Sequence, residues 1–152
     1  MDYRVGVAGV AGGPRLRDAV RCDRDPHAGE FARLAGAPPG DDRVGACRKL
    51  ADTFGATVLL KGNVTVIADP GGPVYLNPAG QSWAATAGSG DVLSGMIGSL
   101  LAAGLPAAEA AAAGAFVHAH AAALSAADPG PGEAPTSASH IVGHIRAALA
   151  AL

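Results

Sequence analysis

Thr86-Ala87-Gly88-Ser89-Gly90-Asp91-Val92-Leu93 holds most of the chain's chemical potential: small residues run straight into an apolar helix that has one carboxylate at its start. Glycine admits left-handed backbone and close approach, so successive N–H groups can converge on an anion at the positive end of the helix. A phosphate suits such a loop. Asp91 then stands where a carboxylate can take a proton from a hydroxyl held beside that phosphate, as phosphoryl transfer to an alcohol requires. A plain helix entry accounts for the same letters, with Asp91 as N-cap or first-turn residue and the glycines only making a turn. The local sequence leaves both open.

Lys61 is the second residue of note. Arginine outnumbers lysine nine to two, and Ala, Gly, Asp, Pro and Arg dominate, a pattern expected of a GC-rich bacterial genome. A lysine against that bias supplies a compact point charge with three rotatable donors. The alternative is a solvated strand-end lysine. The remaining candidates read more plainly. His118 and His120 are two apart on a helix and face different ways, whereas His140 and His144, four apart, could share a metal but have no third ligand nearby. No metal site is expected among them. Tyr75 and Trp83 read as core or pocket wall.

Several elements must position these groups. A short helix is expected from Gly29 to Gly36, broken by Pro38, Pro39 and Gly40. Asp41 or Asp42 can cap a second helix whose apolar positions Val44, Cys47, Leu50, Ala51 and Phe54 recur at helical spacing, with Gly55 as terminator. Thr57-Val58-Leu59-Leu60 is a continuous apolar run of the kind that forms a buried strand, and it ends at Lys61-Gly62. Val64 to Asn77 reads as a hairpin turning at Asp69-Pro70-Gly71-Gly72. Three alanine-rich helices follow, at about 91–103, 107–126 and 138–151. This order indicates an α/β architecture, with Lys61 and Asp91 beyond the carboxyl ends of strands, where such sheets bind ligands. Residues 1–24 carry no sustained period and receive no element.

Composition narrows the function class. The 152 residues are 49% hydrophobic and 16% charged, which suits a globular domain with a real core. A net charge of −2 with scattered cations disfavours nucleic acid. Cys22 and Cys47 stand alone and read as ordinary thiols of a reducing cytosol, so a cytoplasmic location is expected. The opening residues lack a signal peptide's order, no apolar run is expected to reach bilayer-spanning length, and no membrane partner is expected.

Three segments taken together resemble the NAD(P)H-hydrate dehydratases of the ribokinase-like superfamily. They are Asp25-Pro26-His27-Ala28-Gly29-Glu30-Phe31-Ala32-Arg33-Leu34, Leu60-Lys61-Gly62-Asn63-Val64-Thr65-Val66, and Ala87-Gly88-Ser89-Gly90-Asp91-Val92-Leu93-Ser94-Gly95. The Ala113-Gly114-Ala115-Phe116-Val117-His118 helix follows in the same order. The resemblance runs from about residue 25 to the end. It implies a ribokinase-like three-layer α/β/α sandwich, and it implies only the C-terminal half of the domain, because family members carry a roughly equal length of chain ahead of the His27 motif. Residues 1–24 do not resemble that part, and the sheet is expected to expose an apolar edge.

The reaction implied is repair: hydrated NADH or NADPH is dehydrated at the expense of ADP, or ATP in some members, with Mg²⁺. By carry-over, Asp91 contacts the hydrate and acts as base on its hydroxyl, His27 helps bind the hydrated nicotinamide, and Gly88, Ser89 and Gly90 hold the transferred phosphate. Lys61, Gly62, Asn63, Val64, Thr65 and Gly90 line the adenine nucleotide. A homo-oligomer and a partnership with an NAD(P)H-hydrate epimerase are also implied. Read without the family, Glu30 is a first-turn acid meeting the helix dipole. Two other classes remain: a small-molecule kinase of the same superfamily, against which the His27 to Glu30 motif speaks, and a non-catalytic nucleotide-binding remnant.

Overall fold

The computed structural model describes residues 21–23, 29–78 and 82–152. Strand β1 (Arg21–Asp23) precedes helices α1 (Gly29–Ala35) and α2 (Arg43–Phe54). Strands β2 (Val58–Leu60), β3 (Val64–Ala68) and β4 (Val74–Pro78) come next, followed by helices α3 (Ser89–Ala102), α4 (Ala107–Ala127) and α5 (Ala138–Ala150). The sheet order is β1-β2-β3-β4. β1 runs parallel to β2, with Asp23 beside Leu60, while β2, β3 and β4 form an antiparallel meander.

The local signals act as their chemistry dictates. Asp42 caps α2 by accepting from the Gly45 N–H at 2.8 Å, and Gly55 ends the helix in the left-handed conformation, φ 59°. Cys47, Leu50 and Ala51 turn inward, but Phe54, on the expected apolar stripe, remains 40% exposed at the helix end. The hairpin closes with the Gly72 N–H donating to the Asp69 carbonyl at 3.0 Å, Pro70 and Gly71 lying between them. Gly71 has φ 61°, as the third position of a proline-led turn requires. Asp52 of α2 accepts from the Gly71 N–H at 3.1 Å, and Thr57 donates to Asp69 at 2.5 Å, tying the turn to the elements before it.

Alternation along the strands sends side chains to two faces, and each face finds its own helices. Val58, Leu60, Val66 and Ala68 pack against Phe31 of α1 and Cys47, Leu50 and Ala51 of α2. Leu59 and Ile67 pack against Leu93 and Ile97 of α3 and the alanines of α4, with Tyr75 at the margin. The result is three layers, α/β/α. A third cluster joins α4 to α5 through Val117, Ala121, Ala122, Ile141 and Ala148, with Trp83 packed against it. Alanine and Gly114 let α3 and α4 approach closely: a Cβ on Gly114 would lie 2.8 Å from Ile97 Cγ1.

Two expectations change. β1 falls in the segment that received no element, because three residues are too few to show a period. The expectation that no apolar run reaches bilayer-spanning length does not hold for α4, whose 21 residues have that length and hydropathy. Its apolar content serves the interior: 56% of the most apolar window is buried between the sheet and its neighbouring helices.

Candidate functional site

Three elements converge at the carboxyl end of β2. Lys61 follows the last strand residue, and its backbone carbonyl accepts from Arg43 Nη2 at 2.7 Å, which ties the strand end to the start of α2. The side chain extends toward the glycine loop, where a Cβ placed on Gly90 would lie 3.9 Å from Lys61 Nζ. The ammonium and the first turn of α3 therefore share one space. An anion there meets a point charge and the positive helix end together.

The loop is built on Gly88, which is the N-cap of α3 with φ 81°, a conformation glycine adopts without strain. Asp91 is the third residue of the helix, exposed in its first turn. That excludes the N-cap alternative and leaves the carboxylate accessible beside the Lys61 and Gly90 space. Within the loop, the Ser89 N–H donates to the Thr86 carbonyl at 3.2 Å and the Asp91 N–H to the Gly88 carbonyl at 3.1 Å. Ser94 donates to the Gly90 carbonyl at 2.9 Å, bracing the first turn from within the helix.

Ser89 takes a different part from its neighbours. It is fully buried, and its hydroxyl lies 3.0 Å from His118 Nε2 on α4. The Ser89 side chain is thus turned into the protein, while Gly88 is exposed and Gly90 and Lys61 are half-buried beside it. His118 is 3% exposed, and its pKa is lowered to about 4, chiefly by burial, with the Lys61 charge adding to the effect and a hydrogen bond to the Ser89 backbone opposing it. The imidazole is neutral at physiological pH. His120, two residues on, is half-buried. His118 carried no role in the sequence beyond its place in the α4 motif. What a sequence shows is a histidine on an apolar helix face, and only the fold brings Ser89 to it. Arg43 was missed for the same reason.

The other nucleotide-lining candidates lie at the same strand ends. Lys61, Gly62 and Asn63 connect β2 to β3, with Asn63 exposed and Val64 40% exposed. Thr65 is buried, pairs with Asn77, and shares the strand face of Ile67, the side covered by α3 and α4. His27 lies outside the described residues, and so does the side chain of Glu30. His144 is held by Asp128 Oδ2, 3.4 Å from its Nε2, and by the His140 carbonyl, 2.8 Å from its Nδ1, so both ring nitrogens have partners in the protein. Among the described residues no three His, Cys, Asp or Glu side chains gather as metal ligands. Cys47 is buried with its thiol pushed up to about 11 by that burial, its Sγ lying 3.5 Å from the Val58 carbonyl.

A sheet between two helical layers, with a glycine loop opening a helix beside the strand ends, is the arrangement of a ribokinase-like α/β fold, here present in part. Solved structures carry the same arrangement. The ADP/ATP-dependent NAD(P)H-hydrate dehydratase from Bacillus subtilis, co-crystallised with ATP and Mg²⁺, superimposes with a TM-score of 0.78 at 27% identity, covering 95% of this chain and 52% of that one. A ribokinase-like superfamily protein from Enterococcus faecalis gives 0.65 at 25% identity, over 86% of this chain and 44% of that one. The sequence profile of the NAD(P)H-hydrate dehydratases matches residues 25–144. The chain belongs to that family. It is 91% identical over 127 residues to the bifunctional NAD(P)H-hydrate repair enzyme Nnr of Mycobacterium leprae, covering 84% of this chain and 27% of that protein. It is 53% identical over 96 residues to the ADP-dependent (S)-NAD(P)H-hydrate dehydratase of Neisseria meningitidis, covering 61% of this chain and 32% of that one. The chain therefore spans about a quarter to a third of the length of these curated relatives.

Proposed function

We propose that this chain forms the nucleotide-phosphate half of an enzyme that dehydrates the S-form of hydrated NADH or NADPH at the expense of ADP. The observation that carries the reading is the meeting of Lys61 Nζ with Gly90 at the start of α3, with Asp91 exposed one residue further on. Hydroxide is a poor leaving group and phosphate a good one, which gives a reason to use a nucleotide. The hydroxyl oxygen of the hydrate attacks the terminal phosphorus, Asp91 takes the hydroxyl proton, and the nucleotide departs one phosphate shorter. The carbon–oxygen bond then breaks with its electron pair leaving on phosphate, the neighbouring ring carbon gives up a proton to the departing phosphate, and the ring double bond re-forms.

Lys61 and the positive end of the α3 dipole offset charge on the phosphoryl group in flight. Gly62 and Asn63 of the β2–β3 connection, with Val64 and Thr65 at the start of β3, are assigned to the nucleotide, and His27 is assigned to the hydrated nicotinamide. Mg²⁺ would be held largely through the substrate phosphates and would supply further charge neutralisation there, with Asp91 in the first turn of α3 able to offer a carboxylate. ADP as the donor is supported by the name of the Neisseria relative, and the Bacillus enzyme is named for both nucleotides. The relatives named bifunctional are consistent with an epimerase acting alongside. A cytoplasmic, homo-oligomeric enzyme completes the reading.

The test is recovery of reduced-nicotinamide absorbance from hydrated NADH and ADP, in the chain joined to the remainder of the domain that its relatives carry. Asp91→Asn there is expected to abolish recovery while ADP binding survives, because it removes the base and keeps the cradle. Normal turnover by Asp91→Asn would remove the assignment. A phosphorylated product accumulating without dehydration would favour the kinase reading.

A further inference from the structure

Ser89 is the one polar side chain of the phosphate loop that points away from the ligand space, and it is fully buried. A buried hydroxyl needs a partner, and here the partner belongs to the middle of another helix: His118 Nε2 of α4, 3.0 Å away and itself 3% exposed. The bond is between side chains 29 positions apart and joins α3 to α4 at Ser89, the residue before Gly90. The N-cap of α3 is Gly88, which has no side chain to hold the helix start. Loop backbone that must present N–H groups to an anion gains from being fixed beforehand, since ordering it on binding costs affinity.

We propose that His118 is a positioning residue of the phosphate loop: by holding the Ser89 hydroxyl it locks the first turn of α3 to α4 and keeps Gly88, Gly90 and Asp91 in the geometry that receives a nucleotide phosphate. This rests on the reading of that loop as the nucleotide-phosphate site. His118 touches no substrate and acts through Ser89. Lys61 enters twice, as the charge that meets the phosphate and as the neighbour whose positive charge disfavours an imidazolium. A neutral ring has one donor nitrogen and one acceptor nitrogen, so it can accept from Ser89 and still donate elsewhere.

The test is ADP affinity of the 152-residue chain by isothermal titration calorimetry, with melting temperature recorded for each variant. His118→Leu and Ser89→Ala are each expected to weaken ADP binding about tenfold, and the double variant by no more than the weaker single, because both cut the same bond. His118→Gln, which can offer a polar atom near the Nε2 position, is expected to recover most of the affinity. If wild type and folded His118→Leu and Ser89→Ala bind ADP equally, with only the melting temperature falling, the positioning role is overturned and the phosphate site stands. If wild type itself binds no ADP, the phosphate reading fails and this proposal with it. Should His118→Leu not fold, Ser89→Ala and His118→Gln carry the comparison.

Discussion

Lys61, Asp91 and His118 show how differently three ionisable residues are used within one small region. Asp91 is exposed and available to a substrate, Lys61 reaches over Gly90, and His118 is sealed between helices. Lys61→Ala is expected to weaken ADP binding by tenfold or more while leaving the fold intact, since the charge offsets phosphate and the strand end remains tied through its backbone to Arg43. Unchanged affinity would return Lys61 to a solvated strand end. For His118 the pH dependence has a definite sign. Its native pKa of about 4 lies below the ordinary 6.5, so between those values the unfolded chain binds a proton that the native chain refuses. Stability is therefore expected to be flat above about pH 6.5, to fall as pH drops toward 4, and to level off below, with a total loss of up to roughly 3 kcal/mol. Urea midpoints measured from pH 4 to 7.5 check this, and His118→Gln should remove that component. Cys47, with its thiol raised to about 11, is a packing residue in the α2 layer.

At the scale of elements, the site is a product of helix starts and strand ends. Asp42 and Gly55 bound α2, the three-residue connection from β2 to β3 holds Lys61, and Gly88 lets the chain turn into α3. The α3–α4 contact is the one that small residues make possible. Gly114→Val would drive a branched side chain into Ile97, and a loss of about 1–3 kcal/mol in stability is expected by urea unfolding, with a parallel fall in ADP affinity because α4 also carries His118. An unchanged midpoint would mean that the two helices can separate at no cost. These boundaries were legible in advance where they depend on local chemistry: caps, proline and glycine turns, and period. β1 was not, because a three-residue strand has meaning only through its parallel pairing with β2.

At the scale of the molecule, the layers divide the labour. One face of the sheet rests on α1 and α2, the other on α3 and α4, and the proposed phosphate site lies where the second layer meets the strand ends. The chain covers 52% of the length of the Bacillus subtilis enzyme with a TM-score of 0.78, so the half-domain keeps its arrangement while the rest of that enzyme lies outside it. The whole-molecule expectation follows. The chain by itself binds ADP, seen as a thermal shift, but recovers no reduced-nicotinamide absorbance, and turnover needs the remaining part of the domain. Turnover by the chain on its own would show that a complete substrate site lies within these residues.

The sequence by itself determined the elements from α1 onward, their order, and the residue types able to hold a phosphate and take a proton, because capping, turn formation and hydrophobic period are local properties of the chain. It also narrowed the family, through three motifs in sequence order. Only the tertiary structure decided that Lys61 reaches Gly90, that Asp91 follows the N-cap and stays exposed, and that the Ser89 hydroxyl turns inward to His118. The first and last of these are contacts between residues 29 positions apart. They depend on how layers pack, and burial, not spacing, sets which face of a loop a hydroxyl takes and which charge a histidine can carry.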